Sequence, residues 1–267
     1  MKTRVFLLAG SAALLAACGS RPVQTPPVVS SSHSDMSKAM LAYSDNRYAE
    51  ARNFFGRALS QYQSVDDLQH QAEALTDLAD CALLQGDVDA AKGYLANAQN
   101  LVSQHHLPGL APRLALLAGY ADLQSDDASA AAAGFDGLLN DAATPADVRQ
   151  AALLARTQAA FDLKAADSGQ WLAKLPANSA DPLIQARLER LQARAADPAK
   201  AAALYADALG RYQAAYYRPG IAASHEEWAE LLLSEKQWAE ARDHLRRALT
   251  VRLWMYDANH SLRILAM

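Results

Sequence analysis

Apolar and polar positions recur along most of this chain with the period of an α-helix. The clearest unit is an alanine, a large apolar residue four positions on, and a second alanine three further. It occurs as Ala51, Phe55 and Ala58; as Ala91, Leu95 and Ala98; as Ala201, Tyr205 and Ala208; and as Ala241, Leu245 and Ala248. Offsets of 4 and 7 place all three residues on one helical face. The alanines admit a close neighbouring helix, and the large residue fills the gap beside them. A turn precedes each unit: Asn46-Arg47-Tyr48, Gly86-Asp87-Val88, Asp197-Pro198 and Lys236-Gln237-Trp238. Before most of these turns lies another apolar-periodic segment, such as Leu75, Leu78, Ala79, Ala82 and Leu83, or Trp228, Ala229, Leu232 and Leu233. The pattern predicts a repeated helix, tight turn, helix.

Composition strengthens this reading. Alanine supplies 60 of 267 residues and glycine only 12. Alanine is the best intrinsic helix former, whereas β-branched residues lose rotamer freedom in helices. An all-α chain is expected, not a sheet-rich enzyme fold. The net charge of −4 is wrong for a nucleic-acid binder that works by neutralising phosphates. Two cysteines allow at most one disulfide.

The N-terminus reads as an address. Lys2 and Arg4 precede thirteen uncharged residues, Val5 to Ala17, a stretch too short for a mature membrane span. The segment ends Leu15-Ala16-Ala17-Cys18-Gly19, which resembles the lipobox of bacterial lipoproteins. The resemblance implies a signal peptide over residues 1–17, a diacylglycerol on the Cys18 thiol, cleavage before Cys18 and acylation of the new amine. Several acyl chains anchor stably where one does not. Gly19 in place of Asp implies sorting to the outer membrane in a two-membrane cell. Without residues 1–17 the 25 basic residues fall to 23 against 29 acidic ones, a net −6. Residues 18–34 carry Pro22, Pro26, Pro27 and a run of serines without apolar period, and read as a disordered tether. The helical body is then expected over residues 35–267.

The repeated unit resembles the tetratricopeptide repeat (TPR). That resemblance rests on Ala74 to Leu101 with Gly86-Asp87 at the turn, on His225 to Val251 with Trp238-Ala239-Glu240-Ala241, and on Tyr48-Ala49-Glu50-Ala51. It implies a right-handed α-solenoid of about six helix hairpins with a C-terminal capping helix. The period is 40, between Ala51 and Ala91 and between Ala201 and Ala241, longer than the 34 of the simplest units. The 110 residues from Ala91 to Ala201 leave room for three steps of about 37. Two degenerate repeats are expected there, over Pro112 to Leu139 and Asp147 to Leu175. Glu189 falls where a fifth repeat should carry a small residue. Phe54, Phe55, Tyr94, Tyr205, Trp228, Trp238 and Trp254 are expected in the core.

TPR arrays bind partner segments in the groove lined by the first helix of each hairpin. Carried over, the groove positions are Glu73, Thr76, Asp80, Glu226, Glu230 and Leu233, mostly acidic, which suits a basic or polar partner segment. The Lys/Asn clamp of some chaperone-docking TPR domains has no counterpart here. His225-Glu226 begins like the zinc-protease H-E-x-x-H, but Ala229 replaces the second histidine. His105-His106 has no accompanying ligand, and Cys81 reads as a small buried hydrophobe. Arg242, Arg246, Arg247 and Arg252 form a basic group near the C-terminus, and Tyr216-Tyr217-Arg218-Pro219-Gly220 marks a corner between repeats. No Gly-rich phosphate loop, G-x-S-x-G elbow or Cys-x-x-Cys pair occurs.

The expectation is therefore a non-enzymatic, lipid-anchored periplasmic scaffold on the outer membrane that engages another envelope protein. It would use no cofactor, metal, nucleic acid or small-molecule substrate. The resemblance covers pilotins, barrel-assembly factors and regulators of peptidoglycan synthases. The alternatives are a peptidoglycan-cleaving enzyme with a solenoid body and a self-assembling structural module.

Overall fold

A computed structural model describes residues 27–255 and 264–265. Cys18 and the signal segment, with most of the expected capping segment, lie outside these residues. Twelve α-helices follow one another among the described residues: α1 (Pro27–Ser44), α2 (Tyr48–Gln63), α3 (Leu68–Leu84), α4 (Val88–His105), α5 (Ala111–Gln124), α6 (Ala128–Asn140), α7 (Ala146–Asp162), α8 (Ser168–Ala173), α9 (Pro182–Ala193), α10 (Pro198–Ala214), α11 (Arg218–Ser234) and α12 (Trp238–Trp254). Each odd-numbered helix packs on the even one that follows, and successive pairs stack on each other. This is an all-α solenoid in which each pair buries its apolar face against its neighbours.

One turn recurs between the helices. Arg47, Asp67, Asp87, Leu107 and Asp127, each 20 residues after the last, send a backbone N–H to the carbonyl five residues back, on Ala42, Tyr62, Ala82, Val102 and Asp122. Ala165, Tyr217 and Gln237 repeat the bond. The residue before each is left-handed: Asn46, Asp66, Gly86, His106, Asp126, Lys164, Tyr216 and Lys236. This is the Schellman closure, which satisfies orphan carbonyls at the helix end. Aspartates then start the next helix. The side chains of Asp67, Asp87, Asp127 and Asp197 accept from the N–H of His70, Ala90, Ala130 and Lys200. One helix plus one such turn takes 20 residues, and two give the 40-residue period.

The repeated alanines sit at the helix contacts. Ala51, Ala58, Ala91, Ala98, Ala201, Ala208, Ala241 and Ala248 are fully buried, with Phe55, Leu95 and Tyr205 buried between them. The middle of the array departs from the expected step of 37. Ala131, Phe135 and Leu138 are buried in α6 at the same offsets, and Ala131 lies 40 after Ala91. The shortening falls instead between Ala131 and Ala201, where α8 has only six residues. Gly119 has the Phe135 ring where a Cβ would stand, so α5 and α6 meet at van der Waals distance.

Three expectations are corrected. Among the described residues α1 already covers Pro27–Ser44, which takes in part of the stretch 18–34 read as tether. Its serines pack on α2: Ser31 donates to Gln61 Oε1 at 3.1 Å, Ser32 is buried, and Asp35 takes bonds from Arg57 and Gln61. Tertiary contacts override the serine-rich composition. Trp238 and Trp254 are not core residues; they are 63% and 74% exposed on α12, the last helix of the array, with no following pair among the described residues to pack on them. Glu189 is buried where a small residue was expected, and it is kept there by Arg211 of α10, whose Nε lies 3.0 Å from both carboxylate oxygens.

The array also returns on itself. Asn46, in the turn after α1, donates from Nδ2 to the Tyr216 carbonyl at 3.0 Å across 170 residues of sequence. Arg187 of α9 reaches the Tyr120 hydroxyl of α5 at 2.9 Å. The two ends of the solenoid meet around a central cavity.

Candidate functional site

The cavity has a volume of about 870 Å³ and is lined mainly by the odd-numbered helices. Tyr43 comes from α1, Asp80 from α3, Tyr120 from α5, Phe161 and Asp162 from α7, Arg187 and Arg190 from α9 with Arg194 just past its end, and Glu226, Glu227 and Glu230 from α11. Tyr212 of α10, Tyr217 and Arg252 of α12 complete the wall. Its size suits a small organic ligand or a short chain segment.

Ion pairs stitch one inner helix to the next. Arg190 holds both oxygens of Glu227, and Arg194 Nη1 lies 2.7 Å from Asp162 Oδ1. Arg252 forks onto Glu226 through Nε at 2.8 Å and Nη2 at 3.3 Å. Arg113 of α5 is shared between Asp77 at 2.7 Å and Asp80 at 3.4 Å, while Tyr43 donates to Asp80 at 3.1 Å. Burial pushes the Asp77 carboxyl up to about 6 against the pull of Arg113, and raises Asp80 in the same way. Burial also raises Tyr217, to about 12, with the neighbouring Tyr212 adding to it.

Arg187 differs from the other cavity arginines. Arg187, Arg190 and Arg194, the last at the C-cap of α9, follow one face at spacings of 3 and 4. The first has no carboxylate partner among the described residues. Its Nη1 donates to Tyr120 Oη, and its guanidinium lies 5.4 Å from the centre of the same ring. A guanidinium carries five N–H donors, so donors on Arg187 remain for whatever enters the cavity.

The residues expected to line a groove divide. Asp80, Glu226 and Glu230 do line the cavity. Thr76 does not: it is fully buried, and its hydroxyl donates to the Ala72 carbonyl at 2.7 Å within α3. Glu73 is held by Gln69 at the far end of α3, and neither it nor Leu233 lines the cavity. The acidic groove is also corrected, because Arg252 neutralises Glu226 and the α9 arginines answer Glu227 and Asp162. Sequence reasoning missed those arginines. Their one visible signal was the spacing of Arg187, Arg190 and Arg194.

Outside the cavity, His225 and His244 face each other with Nδ1 atoms 3.0 Å apart. Burial, with the His244 and Arg247 charges, lowers His225 to about 4. Arg252 is buried in its ion pair and does not join Arg242, Arg246 and Arg247 on the exposed face of α12. Cys81 is a free, buried thiol beside Phe55 and Leu78. Among the described residues, no three His, Cys, Asp or Glu residues are grouped to hold a metal, and no helix is long and apolar enough to cross a membrane. No family model matches the chain, and no curated protein matches it.

Proposed function

We propose that this chain is a lipid-anchored, TPR-like scaffold of the bacterial envelope, tethered through Cys18 at the outer membrane and holding a segment of another envelope protein. The body is a right-handed array of about six hairpins in this reading, and it is not an enzyme. The observation that carries the proposal is the central cavity, walled by the first helix of each pair, which is where such arrays engage partners. The lipobox-like end of the apolar leader supports the membrane attachment.

Two measurements test it. Full-length protein should sediment with outer membranes, and Cys18→Ala should move it to the soluble fraction; a variant that still sediments overturns the anchor. A photo-crosslinker placed at Leu123, in the cavity wall, should yield one discrete envelope-protein adduct in cells, and one at Arg246, on the outside, should not. Equal adducts from both positions, or none from Leu123, overturn the scaffold reading.

A further inference from the structure

We propose that the cavity is a binding site for a compact organic anion, a carboxylate or phosphate carried on a ring-sized body, with Arg187 as its anchor. This goes beyond the scaffold reading and departs from the expectation that no small molecule is bound.

Of the four arginines in the cavity wall, Arg190, Arg194 and Arg252 each meet a carboxylate, on Glu227, Asp162 and Glu226. Arg187 meets only the Tyr120 hydroxyl and ring. Arg187 is half-buried in the cavity wall, a partly desolvated guanidinium gains from an anion beside it, and Arg190 and Arg194 show how this wall ordinarily supplies one. The missing counter-charge is supplied by a ligand. Arg187 suits one, since its fork donates side by side to two oxygens of a carboxylate or phosphate.

The surroundings define the rest of the ligand. Tyr120 and Tyr217, both half-buried, stand near the guanidinium and offer ring surface for an apolar or aromatic body and hydroxyls for its polar edge, while the buried Tyr212 ring backs Tyr217. Tyr217 follows the residue whose carbonyl takes the Asn46 bond. The joint that closes the solenoid therefore also sets one wall of the site. Asp80 and Tyr43 lie towards the α1 and α3 side, where carboxylates disfavour a second negative group, so a singly headed anion fits better than one charged at both ends.

The test uses the purified full-length chain in detergent and four probes of one shape: benzoate, phenyl phosphate, benzamide and benzylamine. Calorimetric titration should show the anions binding and the amide and amine at least tenfold weaker. Comparison of benzoate with phenyl phosphate assigns the head group. Arg187→Gln should weaken the anion at least tenfold, and Arg187→Lys should restore part of it. Tyr120→Phe keeps the ring and the charge but removes one hydroxyl, so it serves as a folded comparison and should weaken binding only a few-fold. Equal binding of benzamide, unchanged anion binding in Arg187→Gln, or no binding of either anion would each overturn the site. The crosslinking test of the scaffold is independent, so the two readings fail separately.

Discussion

At the residue scale, two close contacts have measurable consequences. Gly119 of α5 faces the Phe135 ring without room for a Cβ, and overpacking of a tight contact costs about 1–3 kcal/mol. Gly119→Ala should lower the urea midpoint by an equivalent amount. Gly134→Ala, in the same hairpin but in open space, should leave it unchanged or raise it. The His225–His244 pair makes a pH prediction. Burial lowers His225 to about 4 in the folded protein, and His244 is lowered in the same direction by burial and by Arg247, against Glu240 and Asp243. The unfolded chain takes up these protons near the ordinary histidine value of 6.5, so it binds more protons than the folded chain between the two values. The contribution of His225 is therefore full above pH 6.5 and falls as pH drops towards 4, by roughly 3 kcal/mol, while Asp77 and Asp80, raised by burial, act in the opposite sense over the same window. In urea denaturation at pH 7.5 and 4.5, His225→Gln should be less destabilised by the lower pH than the parent protein; equal changes in the two would remove this pair as a cause.

At the element scale, the tight turn with its aspartate cap governs the array. Asp127 accepts from Ala130 N at 2.9 Å and opens α6, a helix with no other cap on its first turn. Asp127→Ala should cost about 1 kcal/mol, within the usual range for a lost N-cap, read as a drop in thermal midpoint. The helix content, the hairpin and the 40-residue period were legible in the sequence because alanines seven apart, with a large apolar residue at offset 4 between them, mark the close helix contacts. Phe135 was equally regular, yet the run Ala130 to Ala133 hid which alanine was the contact. The serines of α1 were misread because their order comes from Gln61 and the packing of α2, which no local pattern encodes. The site was half legible. Asp80, Glu226 and Glu230 followed from the position of first helices, but Arg113, which meets Asp80, lies on the next pair and Arg252, which meets Glu226, on the following helix, and the fate of a charge depends on such neighbours.

At the scale of the whole molecule, closure separates this solenoid from an open one. An open array would leave its inner face as a long groove; the bond from Asn46 to the Tyr216 carbonyl turns it into a cavity. That bond is exposed, and such hydrogen bonds contribute only about 0.5–1.5 kcal/mol net. Its loss should scarcely change global stability, because each pair of helices is held mainly by its neighbours. Its loss should change shape, because few other contacts cross from the first turn to the corner between α10 and α11. Asn46→Ala should therefore shift the thermal midpoint by no more than a few degrees. It should also broaden, towards longer values, the distance distribution between spin labels at positions 45 and 213, which are exposed on the two sides of the joint. An unchanged distribution would mean that Tyr43 and Tyr217 hold the ends together without it. A broadened one would show that this bond holds the first turn against the corner between α10 and α11.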